Sequence, residues 1–190
     1  MKGELKKLLQ DVRWWINLFP NVMSEKVCDE IMKYPWDWVP SKYEGDKGVS
    51  SNSEERVKMD ETWVTDINKP HPDIRKSVMT VMNLYSEKHE NFSCIRHTDF
   101  RINRYPVGGF MSKHCDNIHH SHGQQYGYPQ VSVLLFLNED YEGGEIIIAG
   151  DNQYKPLKGS AIIFPSNFMF PHEVKKITSG TRWSIITWLM

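Results

Sequence analysis

Cysteine is scarce in this chain of 190 residues, and its three thiols, Cys28, Cys94 and Cys115, form no C-x-x-C pair. That excludes a structural zinc site built on cysteine, and the odd count reads as reduced thiols in a reducing compartment. Long hydrophobic runs are also missing. No apolar stretch approaches the roughly 18 residues of a membrane-crossing helix, so no span is expected. Met1 to Gln10 is polar and Lys-rich and holds no apolar signal core, which makes a cytoplasmic location the expectation. Nor does one sign of charge dominate. With 23 Lys and Arg against 24 Asp and Glu, the net charge is -1, and bulk charge gives no support for nucleic-acid binding. Internal repeats and low-complexity tracts are absent too.

What is present is ordinary globular material rich in aromatics. Hydrophobic residues make 39% and charged residues 25%, with seven Trp and eight Phe. A β-rich, well-packed core is favoured over disorder. The length fits a single domain over residues 1–190. Two textures divide it: residues 1–92 mix helical and irregular segments, and residues 97–190 read as short strands. In the first part, Ser24 caps a helix over Glu25 to Tyr34 that Pro35 stops. A second helix starts near Pro72, with Ile74, Val78, Val81, Met82 and Tyr85 as its apolar stripe. Tyr43 to Asp60 is polar and reads as an exposed loop.

Eight strand candidates follow: Phe100–Pro106, Phe110–Asp116, Gln130–Leu137, Glu145–Ala149, Tyr154–Leu157, Ser160–Phe164, Pro171–Lys176 and Thr181–Leu189. Gly108-Gly109, Gly143-Gly144, Gly159 and Gly180 separate them. Short strands without intervening helices predict a mainly β fold, a double-stranded β-helix or jelly roll, with N-terminal supporting helices.

His114 and Asp116 stand two apart at a strand end, so alternation puts both on one face and Cys115 on the other. His172, opening a late strand, supplies a third ligand. Two imidazoles and one carboxylate form the facial triad of non-haem iron(II) oxygenases. Arg182 follows ten residues later at the start of the last strand. A buried arginine needs an anionic partner, and a guanidinium grips a carboxylate through two parallel hydrogen bonds. That partner is either the distal carboxylate of 2-oxoglutarate or an Asp or Glu at the barrel rim.

These residues resemble the 2-oxoglutarate/Fe(II) dioxygenase superfamily, most closely its prolyl 4-hydroxylase-like branch and the PKHD-type hydroxylases. The likeness runs through Arg104-Tyr105-Pro106-Val107-Gly108-Gly109, His114-Cys115-Asp116-Asn117, Tyr141-Glu142-Gly143-Gly144-Glu145, His172-Glu173-Val174 and Gly180-Thr181-Arg182. It implies iron(II) on His114, Asp116 and His172, and 2-oxoglutarate on Arg182. It implies that Tyr105 helps hold that carboxylate, or is a core aromatic, and that Ser132 lines the cosubstrate pocket, or is a small inward filler. Trp188 matches a recurrent Trp near the site and also suits core packing.

The implied activity is O2-dependent hydroxylation of a C–H bond, most of all on a peptidyl proline as in procollagen-proline 4-dioxygenases. The cosubstrate decarboxylates to succinate, with ascorbate as an accessory. A proline-containing protein or peptide is the implied partner. Met111 departs from the pattern, standing where many peptidyl prolyl hydroxylases have a tyrosine near the substrate. Three readings stay open beside this one. One is hydroxylation of a small molecule or another protein side chain, and another is a non-catalytic, cupin-like metal-binding protein. The third is action on nucleic acid. That branch places a second Arg six residues after the first, where this chain has Trp188. His119, His120 and His122 read as a solvated loop.

Overall fold

The computed structural model describes residues 12–42, 44–45, 48–49, 53–94, 96–117 and 128–190. The first half carries β1 (Asn17–Phe19), α1 (Glu25–Lys33), β2 (Val39–Pro40), β3 (Glu44–Gly45), β4 (Gly48–Val49), α2 (Ser53–Arg56), β5 (Val57–Lys58), β6 (Asp60–Val64) and α3 (His71–Lys88). The second half carries β7 (Phe100–Tyr105), β8 (Phe110–His114), β9 (Val131–Phe136), β10 (Glu142–Gly143), β11 (Ile146–Ile148), β12 (Asn152–Tyr154), β13 (Ala161–Pro165), β14 (His172–Val174), β15 (Ile177–Ser179) and β16 (Arg182–Leu189). His119, His120 and His122 lie outside the described residues, as does part of the Tyr43–Asp60 loop. No helix among the described residues is long and apolar enough to cross a membrane.

A seven-stranded sheet runs in the order β1-β13-β9-β16-β7-β6-β2, and a five-stranded sheet in the order β12-β11-β14-β8-β5. From β7 onward the chain passes back and forth between the two sheets, which is the jelly roll expected from the glycine-bounded strands. The reading of residues 1–92 as helical and irregular missed β1 through β6. β3 and β4 pair with each other, the other four widen both sheets, and β6 pairs with β7 over five residues.

Side-chain alternation sorts each strand of the larger sheet into two faces. Val131, Val133, Leu135, Ile163 and Ile185 face the helices, where they meet Cys28, Ile31, Ile74 and Val78. Ser24 accepts a hydrogen bond from the Val27 backbone N–H and starts α1, and α3 buries Ile74, Val78, Val81 and Tyr85. Each such side chain contributes about 1.5–3 kcal/mol on burial. The opposite face carries Leu134, Phe136, Ile162, Phe164, Ile186 and Trp188. It packs on Ile146 and Ile148 of the smaller sheet. The site lies in this inner layer.

Candidate metal centre

β8 and β14 are neighbours in the smaller sheet, and His114 pairs directly with His172. The register then slips, because Val174 pairs with Met111 rather than Ser112. One extra residue in β8 makes a bulge, and the bulge turns Met111 and His114, three apart, toward the same inner layer. Met111 packs by Tyr105, Tyr141 and Val174. The His114 and His172 rings stand 4.3 Å apart.

Strand pairing stops at His114, two residues earlier than expected, so Asp116 sits in the following turn instead of on the strand. The turn still delivers the carboxylate. Asp116 Oδ1 is 3.3 Å from His114 Nε2, and Oδ2 is 3.5 Å from His172 Nε2. Among the described residues, these three make the one cluster suited to a metal ion, with ligand atoms all within 4.8 Å of one another. Cys115 is buried but stands outside it.

The two imidazoles are oriented alike. Nδ1 of His114 lies 2.8 Å from the Ser112 carbonyl, and Nδ1 of His172 lies 3.2 Å from the Phe170 carbonyl. Each Nδ1–H can donate to its carbonyl, leaving both Nε2 atoms turned toward Asp116. Ligand atoms about 2.1 Å from one ion lie roughly 3 Å apart when they subtend a right angle. The observed spacings are close to that, so the donor set fits a divalent cation held on one face.

Electrostatics of the ion-free cluster follow from packing three ionisable groups together. Burial alone would push the Asp116 carboxyl up, but the two imidazoles outweigh it and hold it well below the usual range. Burial, then the neighbouring His172, push His114 down. Burial also works against charged His172, but the Asp116 carboxylate prevails and its pKa is raised.

Ser132 is buried in the inner layer of β9. Its hydroxyl donates to Asp116 Oδ2 at 2.5 Å and lies 2.8 Å from Ser166 Oγ. The structure therefore places it against the Asp116 carboxylate. Arg182 pairs with Tyr105 across β16 and β7, with its guanidinium carbon 5.0 Å from the Tyr105 ring and 5.2 Å from Phe136. Arg182 is wholly buried, and its Nη1 donates to Ser184 Oγ. Its Nε and Nη2 have no hydrogen-bond partner, and no carboxylate among the described residues reaches it. Burial pushes the Tyr105 and Tyr141 hydroxyls up, against the pull of this guanidinium. A Cβ on Gly144 (φ +66°) would strike Ile177 Cδ1 and crowd the Arg182 stem, so the second glycine of Tyr141-Glu142-Gly143-Gly144-Glu145 gives that stem its space.

The sequence reading gave no role to Tyr141, Ser166 or Ser184. Alternation puts Ser184 on the face of Arg182, where it accepts the guanidinium's hydrogen bond. Tyr141 and Ser166 arrive from loops, with no period to announce them.

The family model of the 2OG-Fe(II) oxygenase superfamily matches residues 100–190. The matched stretch is the part of this chain that carries the triad and Arg182. A PKHD-type hydroxylase of Crocosphaera subtropica is 39% identical over 94 residues, which span 47% of this chain and 41% of that relative. The alignment thus covers less than half of the relative's length. Among superfamily structures, the 2-oxoglutarate complex of a viral collagen prolyl hydroxylase from Paramecium Bursaria Chlorella virus-1 superposes with a TM-score of 0.68 at 16% identity. It covers 92% of this chain and 95% of that one. A prolyl hydroxylase of Trichoplax adhaerens, in complex with a hypoxia inducible factor oxygen degradation domain peptide fragment, gives 0.67 at 18% identity. There the coverage is 100% and 93%. At such identities the likeness is one of fold. The likeness of fold and the clustering of His114, Asp116 and His172 on the inner layer thus stand on separate observations.

Proposed function

We propose that this protein is an iron(II)- and 2-oxoglutarate-dependent dioxygenase that hydroxylates an unactivated C–H bond, with a peptidyl proline as substrate. The observation that carries the reading is Arg182. A wholly buried guanidinium, with two nitrogens unpartnered and no carboxylate in reach, asks for an anionic ligand. It lies on the inner face of β16, the strand whose Trp188 pairs with Ser132 beside Asp116.

When bound, iron(II), 2-oxoglutarate and O2 supply the oxidising chemistry, with decarboxylation of the cosubstrate to succinate and CO2. The chain supplies geometry. His114, Asp116 and His172 would hold the iron, with Ser132 fixing the carboxylate's orientation. Arg182 would clamp the distal carboxylate, steadied by Ser184 and flanked by the Tyr105 and Tyr141 hydroxyls. Leu134, Ile146, Ile148, Phe164 and Ile186 wall the layer and keep it dry. No protein general base or nucleophile is required, and none is assigned.

A visible charge-transfer band on adding iron(II) and 2-oxoglutarate without oxygen tests the metal assignment, together with succinate release in air. His114→Ala should remove both, and their survival would refute it. For the substrate, the peptidyl reading draws on the prolyl hydroxylases that share the fold, one of them with a bound peptide. A gain of one oxygen on proline in peptide libraries tests it. Turnover of a free small molecule with none on peptides would move the assignment to a small-molecule hydroxylase. Metal binding without succinate release would leave the cupin-like alternative.

A further inference from the structure

A cleft of about 800 Å³ lies beside the metal end of the larger sheet, where β6 and α3 meet the segment leading into β7. Its apolar lining comes from Trp63, Met79, Met82 and Met190. Its charged lining comes from Arg75 and Arg96 against Asp99. Both arginines are exposed, and among the described residues neither lies within ion-pair distance of a carboxylate. The rim thus has an excess of positive charge that the fold does not consume. Thioether and indole surface stands beneath it.

The cleft is linked to the metal end through the sheet. Thr98, which lines it, accepts a hydrogen bond from the Trp188 backbone N–H at 3.1 Å. Trp188 pairs across the sheet with Ser132, which holds Asp116. Trp63 is the shared wall. On its inner side the Arg101 guanidinium lies 5.8 Å from the Trp63 ring and 5.2 Å from the Trp188 ring, and Glu61 Oε2 steadies it at 3.4 Å. Trp63 and Arg101 thus join the edge of the cleft to the triad's end of the inner layer.

We propose that this cleft takes the acidic flank of an extended peptide substrate whose hydroxylated residue reaches the triad. Arg75 and Arg96 meet its carboxylates, and Trp63 and the methionines take its apolar portions. The proposal rests on the peptide-hydroxylase reading above. It adds the charge and side of approach of the substrate.

The test uses labelled peptides that share a Pro-Ala-Gly centre and differ only in a flank of Glu, Gln or Lys. Binding is followed by fluorescence anisotropy to the full chain loaded with zinc and 2-oxoglutarate. The Glu peptide should bind roughly tenfold more tightly than the Gln peptide at low salt, from a few-fold per exposed ion pair, and added salt should narrow the gap. Arg75→Glu/Arg96→Glu should prefer the Lys peptide, and an inverted preference requires a folded protein. Equal affinities, a Glu preference that survives charge reversal, or tighter binding of a single-stranded oligonucleotide of equal charge would each overturn the proposal. Mass analysis with the iron-loaded enzyme separates the two readings. Hydroxylation without flank preference sinks the cleft alone. Flank preference without oxygen on proline sinks the peptidyl-proline reading alone.

Discussion

Consider replacing Arg182 by Met, which keeps length and apolar stem but removes the charge. In the ligand-free fold, the two unpartnered guanidinium nitrogens cost about 1–3 kcal/mol each through lost hydration. Against this, stacking on Tyr105 and Phe136 returns about 0.5–2 kcal/mol each, and the Ser184 hydrogen bond about 1 kcal/mol. These terms cancel to within about 1 kcal/mol, so the ligand-free Tm should shift by no more than about 2–4 °C for a domain of this size. Cosubstrate separates the two proteins. At a hundredfold its Kd, 2-oxoglutarate adds about 2.7 kcal/mol to the wild type, and the variant should not respond. Thermal melts of the zinc-loaded proteins, with and without 2-oxoglutarate, read both effects without turnover. If Arg182→Met lowers Tm without ligand and keeps the ligand-induced rise, the guanidinium is a structural element and the anion-clamp argument fails.

Two further outcomes follow from the triad. Ser132→Ala removes the hydroxyl that holds Asp116 Oδ2 and should weaken divalent-metal affinity roughly 10- to 100-fold, with recovery in Ser132→Thr; metal competition with a chromophoric chelator reads it, and unchanged affinity would refute the orienting role. In the ion-free protein, the pKa of His172 is raised, despite its burial, by the Asp116 carboxylate, whereas burial lowers that of His114. His172 alone therefore carries a proton between its ordinary and its raised pKa, and metal must displace it. Affinity should climb as pH rises through that window and then level off, with about one proton released per metal inside it and none above. Calorimetry in buffers of different ionisation enthalpy counts them, and a count near two would contradict the opposite shifts.

The jelly roll was legible because β7 through β16 carry apolar residues between glycines that only a turn can use. β6 was not, and its residues show why. Thr62 and Val64 face the helices, while Glu61 and Trp63 face the inner side, where Glu61 meets Arg101. A charge pair on the inner face breaks the period-two contrast that marks a strand. β1 inverts it outright, with Asn17 buried and Leu18 exposed. The closeness of His114 and Asp116 was legible from local spacing, although the reason given for Asp116, a continuing strand, is replaced by a turn. Ser132 shows the remaining limit. Its parity on β9 puts it inside, but whether it meets Asp116 or another inward group depends on where a turn from another sheet lands. No period in the sequence carries that information.

Register shows why the inner layer suits a keto diacid. Arg182 is level with Tyr105, Ser184 with Asn103 and Phe136, Ile186 with Arg101 and Leu134, and Trp188 with Ser132. Reading along β16, one end offers the guanidinium and the Tyr105 phenol, and the other offers Ser132 and its Asp116. Ile186 and Leu134 fill the interval, with Ile146 and Ile148 packed in the same layer. 2-Oxoglutarate has the same order of groups, a carboxylate at each end and two methylenes between. A ligand charged at one end only would satisfy Arg182 or the metal, but not both. The register thus puts an unpaired guanidinium and a cluster suited to a metal ion along one inner layer, the two groups that a keto diacid requires together.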